Sequence, residues 1–146
     1  MTTSTELERA GGRPRDSSTP RAAPISPDRP FKPSQLARID EALTLASADT
    51  GLLFSVYVGP LGAEPRVRAE AMFDKLAVRH PAPVLVALSP GERRLEIVTG
   101  GMSARRIPNR VAALAALTMR ASFTNGDLTG GIVGGLRQLA DAAGAG

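Results

Sequence analysis

The chain has 146 residues, with 18 Lys and Arg against 14 Asp and Glu, no Cys, no Trp and 3% aromatic residues. That length holds one domain whose core must be built from Leu, Val, Ile and Ala, and the missing cysteines exclude a disulfide scaffold and thiolate chemistry. The formal charge of +4 is spread along the chain without a polybasic block, which argues against a nucleic-acid partner, and no apolar run reaches the roughly 20 residues of a membrane helix.

Met1 to Ala10 carries Glu6 and Glu8 and lacks the apolar stretch of a secretory signal. The expectation is a soluble, cytoplasmic protein without direct membrane insertion. Residues 1–31 read as a polar leader rich in Thr, Ser, Pro, Gly and Arg. Such a segment buries too little surface to offset its ordering entropy, so it is expected to be a disordered, solvating stretch. A docking or phosphorylation role would use Ser17, Ser18 or Thr19. The folded domain is assigned to residues 32–146.

The first helix is predicted from about Ser34 to Ser47, with Ser34 as N-cap and Leu36, Ile39, Leu43 and Ala46 on one face. Thr50-Gly51 ends it. Leu52 to Val58 has apolar side chains on both alternating faces, which predicts a strand in the middle of a sheet. Glu64-Pro65 opens a helix to about Val78, burying Ala69, Met72, Phe73 and Leu76. Val84 to Leu88 is again apolar on both faces. A strand, helix, strand order of this length predicts a parallel, right-handed crossover. Ser89 to Arg93 is short enough only for a hairpin, and Arg94 to Thr99, half polar, is placed nearer an edge. A third helix is predicted from about Pro108 to Ala121, with Val111, Leu114, Leu117 and Thr118 at helical intervals and Asn125-Gly126 as its stop. A fourth runs from Asp127 or Leu128 to about Ala142, and Ala143 to Gly146 should fray.

The last helix has an unusual composition. Gly126, Gly130 and Gly134 recur every fourth residue, with Gly131 and Gly135 beside them. Four glycines inside a helix cost roughly 1 kcal/mol each relative to alanine, so about 4 kcal/mol must be recovered elsewhere. Close backbone approach to the sheet or to the third helix would do so, and a partner or self-association face is the alternative. The half-polar strand offers a second route to self-association, and the oligomeric state stays open.

Three places could carry chemistry. Asp127 can cap the glycine helix or serve as one carboxylate of a Ca²⁺ site, although calcium takes 6–8 oxygens and only Thr124, Asn125 and Thr129 lie nearby in the chain. Thr99-Gly100-Gly101, followed by Ser103, Arg105 and Arg106, is a glycine-rich turn that could aim N–H groups at an anion while the two arginines clamp it. It matches neither the P-loop nor the dinucleotide spacing. His80, the only imidazole, sits in a loop with no triad partner at recognisable spacing. Glu92-Arg93-Arg94 reads as a solvated turn.

The order of elements, the Thr50-Gly51 strand entry, the Val84 to Ser89 strand, the Glu96 to Gly100 strand ending in glycine, and Phe123 to Asp127 leading into Gly130-Gly131-Ile132 together resemble the TPM domain. The resemblance spans Asp40 to about Asp141, closest to an uncharacterised actinobacterial branch with an N-terminal polar leader. It implies a three-layer α/β/α sandwich with a small mixed sheet and about four helices. Members of that family are mostly exported or membrane-anchored; some are acid phosphatases or calcium binders, and others are accessory proteins in complex repair or receptor assembly. This chain has His80-Pro81-Ala82-Pro83 where the family places an acidic residue or Asn before the second strand, and its Ser89 to Glu92 turn lacks the Asp often found there. Only Asp127 matches a family acidic position. The functional expectation is a TPM-like accessory or protein-binding module without turnover and without a cofactor. The alternative is a metal-dependent phosphatase-like hydrolase acting on phosphate esters through Asp127, Arg105 and Arg106.

Overall fold

The computed structural model describes residues 30–146. The leader assigned to residues 1–31 lies almost wholly outside the described residues. Helix α1 (Pro33–Thr50) begins at Pro33, where the missing N–H costs nothing, and the Gln35 side chain accepts a hydrogen bond from the Lys32 N–H at 2.8 Å. Lys32, not Ser34, is therefore its N-cap. It ends as expected at Gly51, whose φ of 81° is the left-handed conformation glycine adopts without strain. The chain continues through β1 (Leu53–Val58), α2 (Pro65–Arg79), β2 (Pro83–Ser89), β3 (Arg94–Thr99), α3 (Met102–Arg106), α4 (Asn109–Thr124) and α5 (Leu128–Ala143).

The three strands form one mixed sheet in the order β1-β2-β3, with β1 parallel and β3 antiparallel to β2. Alternation of side chains divides the sheet into two faces. Phe54, Val56, Val84, Val86, Leu88, Leu95 and Ile97 face the larger core, shared with Ile39 and Leu43 of α1, Ala115 and Met119 of α4, and Ile132, Leu136 and Leu139 of α5. Leu85, Ala87 and Val98 face the other way and pack with Ala69, Phe73 and Leu76 of α2. The result is a three-layer α/β/α sandwich with one helix on one face and three long helices on the other.

Four expectations need correction. β1, placed by its double apolar alternation in the middle of the sheet, is an edge strand. Its two apolar faces report cover by helices above and below, not strand neighbours on both sides. At that edge α1 takes up the Phe54 N–H, the Ser47 hydroxyl accepting from it at 3.0 Å. The described residues contain five helices, not four, because Met102–Arg106 forms a single turn after β3. On α4 the buried residues are Ala115 and Met119, while Leu114 and Leu117 are 54% and 63% exposed and Thr118 is also exposed. The helix is rotated so that small Ala115 lies inward and the leucines point out. The C-terminal tail, expected to fray, is tied down: the Gly146 N–H donates to the Asp49 carbonyl at 3.2 Å.

Candidate functional site

The glycine-rich turn after β3 folds around its own backbone. The Ser103 hydroxyl, fully buried, lies 3.0 Å from the Gly100 carbonyl and 3.1 Å from the Gly100 N–H, closing the Gly100–Ser103 turn on itself. Gly100 lies against the Phe73 ring, where a Cβ would come within 3.2 Å, and Gly101 has φ 57°. The two glycines thus serve the path of the chain. Arg105 is exposed. Arg106 turns towards the protein: its Nε donates to the Ala143 carbonyl at 3.1 Å, and its Nη2 to the carbonyls of Thr50, Gly144 and Ala145 at 3.1, 2.8 and 3.2 Å. The guanidinium that the sequence offers to an anion knots α1, α3 and the end of α5 together, while Arg105 stays at the surface.

Asp127 is the N-cap of α5, its Oδ1 accepting from the Gly130 N–H at 2.9 Å. Among the described residues there is no group of three or more His, Asp or Glu that could hold a metal. His80 stabilises its own turn, with Nδ1 accepting from the Ala82 N–H at 2.9 Å.

A cavity of about 490 Å³ opens at the opposite end of the sheet, beyond the carboxyl end of β2 and beside the α4–α5 turn. Leu88, Leu95, Phe123 and Leu128 give it an apolar lining, and Arg93, Arg94 and Arg120 give it charge; among the described residues no acidic residue lines it. Arg120 is anchored by an Nη2 hydrogen bond to the Leu95 carbonyl at 3.3 Å. Arg93 has φ 57°, the one positive φ outside glycine among the described residues. β2, β3, α4 and α5 converge on this pocket. The family model described as a domain of unknown function (DUF5130) matches residues 10–140. The chain belongs to that family. Over 115 residues this DUF5130 domain is 30% identical to the uncharacterized protein Rv2468c of Mycobacterium tuberculosis (strain H37Rv), covering 79% of this chain and 68% of the relative. The uncharacterized protein MT2543 of strain CDC 1551 matches to the same extent.

Three solution structures share the fold of the DUF5130 domain at 15% sequence identity. The BA42 protein of Bizionia argentinensis superposes with a TM-score of 0.65 over 84% of this chain and 83% of its own. The N-terminal domain of a P. gingivalis protein gives 0.67 over 77% and 75%. The N-terminal domain of cg2496 from Corynebacterium glutamicum gives 0.63 over 77% and 74%. At that identity the likeness establishes the architecture alone.

Sequence reasoning about the DUF5130 domain missed the pocket because its cationic groups are far apart in the chain. Arg93 and Arg94 sit in a hairpin that reads as solvated, and Arg120 sits on a helix face that pattern alone rotates wrongly. The neighbouring Glu92 explains how the hairpin is held. Its Oε1 accepts from the Leu61 N–H at 2.8 Å, and both its oxygens approach the Gly62 N–H, at 3.3 and 3.4 Å. The Leu61 N–H, then the Ser89 hydroxyl, hold the Glu92 carboxyl below the usual carboxylate range. A folded-state pKa below the unfolded one contributes stability that is present above the unfolded value and lost as the pH falls through the folded value. Thermal melting of the wild type is therefore expected to fall more steeply than that of Glu92→Gln once the pH drops below about 4.3, the ordinary Glu value. Parallel pH profiles would remove this role from Glu92.

Proposed function

We propose that this domain is a TPM-like accessory module that binds another protein and carries out no turnover. The observation that carries the reading is the outer face of α4, where Leu114 and Leu117 are more than half exposed one turn apart and lead along the helix to Arg120 at the pocket. The exposed leucines form an apolar strip that a partner can cover, and it runs into an arginine, a residue type enriched at interface hot spots. Two of the three residues that a phosphoesterase reading would need are engaged elsewhere, Asp127 on the first turn of α5 and Arg106 on four carbonyls.

The test is crosslinking in the native cell with the wild type and with Leu114→Glu/Leu117→Glu, the crosslinked species being identified by mass spectrometry. A defined partner should be captured by the wild type and lost from the double variant, whose melting temperature should be unchanged because both side chains face solvent. A capture that survives the substitution would remove the α4 face from the reading. A phosphatase assay on the wild type and Asp127→Asn, with Ca²⁺ or Mg²⁺, gives the opposing outcome. Asn caps helices as well as Asp does, so the variant should fold normally. Turnover present in the wild type and absent from Asp127→Asn would overturn the module and establish the hydrolase.

A further inference from the structure

We propose that the pocket between the β2–β3 hairpin and the α4–α5 turn receives an acidic, apolar peptide segment of the partner protein. A bulky apolar side chain would rest on Leu88, Leu95, Phe123 and Leu128, and flanking carboxylates would meet the arginine rim. This inference rests on the protein-binding reading above and names the chemistry of what is bound.

Four observations carry it. The cavity, about 490 Å³, has the size of a site for a few side chains and is apolar at its base. Among the described residues its charge is of one sign, with Arg93, Arg94 and Arg120 in the lining and no carboxylate beside them. The three acids next to lining residues in the chain are engaged elsewhere: Glu92 bonds the Leu61 and Gly62 amides while lying within charge range of Arg94, Asp127 bonds the Gly130 amide, and Glu96 pairs with Arg66 at 3.4 Å. Guanidinium groups match carboxylates in a planar, two-bond geometry that gives both attraction and orientation. Finally, the pocket is continuous with the α4 face, since Leu117 lies one helical turn before Arg120. A segment seated in the pocket can therefore extend along exposed leucines, which an isolated small anion could not use.

Arg93 holds a φ of 57°, the left-handed conformation that favours glycine. Replacing it is consequently a clean probe. Arg93→Gly removes the guanidinium and relieves the backbone, so the fold should be retained or slightly firmer while recognition is lost.

The experiment is fluorescence anisotropy with the full chain and a short synthetic peptide in which two leucines are flanked by Asp and Glu. Its amide counterpart, with Asn and Gln in their place, and inorganic phosphate serve as controls. The acidic peptide should bind the wild type at least about tenfold more tightly than the amide peptide, the difference shrinking as salt is raised. Arg93→Gly should weaken it by about tenfold, and Arg120→Ala by a similar factor. Equal binding of acidic and amide peptides, unaltered binding to Arg93→Gly, or no peptide binding at all would overturn the proposal, as would binding of phosphate alone. The crosslinking assay separates the two levels. A partner lost from Leu114→Glu/Leu117→Glu but retained by Arg93→Gly/Arg120→Ala would sink the pocket and leave the binding module standing. Failure of the wild type to capture any partner would sink the module itself.

Discussion

Gly135→Leu is expected to destabilise the domain by about 3 kcal/mol and Gly131→Leu by a similar amount, whereas Gly134→Ala should stabilise it by about 0.5–1 kcal/mol. The three positions lie within five residues of one helix, and propensity alone would predict a gain at each. What separates them is α4. A Cβ on Gly131 would meet the Phe123 ring edge at 2.6 Å and Ser122 Cβ at 3.0 Å, and a Cβ on Gly135 would meet Met119 Cγ at 2.5 Å and also its sulfur. Met119 is fully buried, so it has little space into which to retreat. A Cβ on Gly134 would meet nothing within 4 Å. Two glycines thus let α4 and α5 approach closely, and the dispersion gained along that contact offsets their poor helix propensity. Against a total stability of about 5–15 kcal/mol, a loss of 3 kcal/mol is a large fraction. Urea unfolding of the three single variants reads the result directly. Equal tolerance of leucine at positions 131 and 135 would mean that the helices do not touch there.

The same helix shows what sequence can and cannot convey. Repetition of glycine at four-residue spacing announces a smooth strip, and the close approach to the third predicted helix is one of the outcomes it allows. Which strip is buried depends on the rotation of α5, and that is a tertiary fact: Gly131 and Gly135 are inside, and Gly134 is exposed. Rotation also defeated the reading of α4, where alanines and a methionine line the core because α5 comes so close. Larger leucines had no room and were turned outwards. β1 was misplaced for a related reason, since apolar alternation on both faces measures cover by helices and says nothing about lateral neighbours. The layer order, the hairpin, the parallel pairing and the helix stops at Gly51 and Gly126 follow from local chemistry and were legible. The candidate pocket was not, because Arg93 and Arg120 are brought together by the packing of α4 across β3, and no short motif records that.

Arg106→Ala is expected to cost about 3 kcal/mol, and Arg106→Lys should recover less than half of it. The guanidinium reaches four carbonyls, of Thr50, Ala143, Gly144 and Ala145, through two of its nitrogens. Three of those carbonyls belong to the last turn of α5 and the residues after it, and the fourth to the last turn of α1, where carbonyls lack an intrahelical partner and a cation is favourable. An ammonium group is a single point with three donors, and it cannot span carbonyls on two helices in this fan. Removing the arginine should therefore act locally before it acts globally. In hydrogen exchange, the N–H of Gly144, bonded to the Ala140 carbonyl, and that of Gly146, bonded to the Asp49 carbonyl, should lose protection while Ile132 and Leu136 in the middle of α5 keep theirs. This also separates a structural role from the anion clamp that the sequence suggests for the same loop. If Arg106 is a strut, sulfate or phosphate should not raise the melting temperature through this loop, and Arg105→Ala should leave it unchanged. A rise in the wild type that disappears in both Arg105→Ala and Arg106→Ala would show instead that Arg106 leaves its carbonyls to join Arg105 on an anion, and the knot between α1 and α5 would then be the resting state of a binding loop.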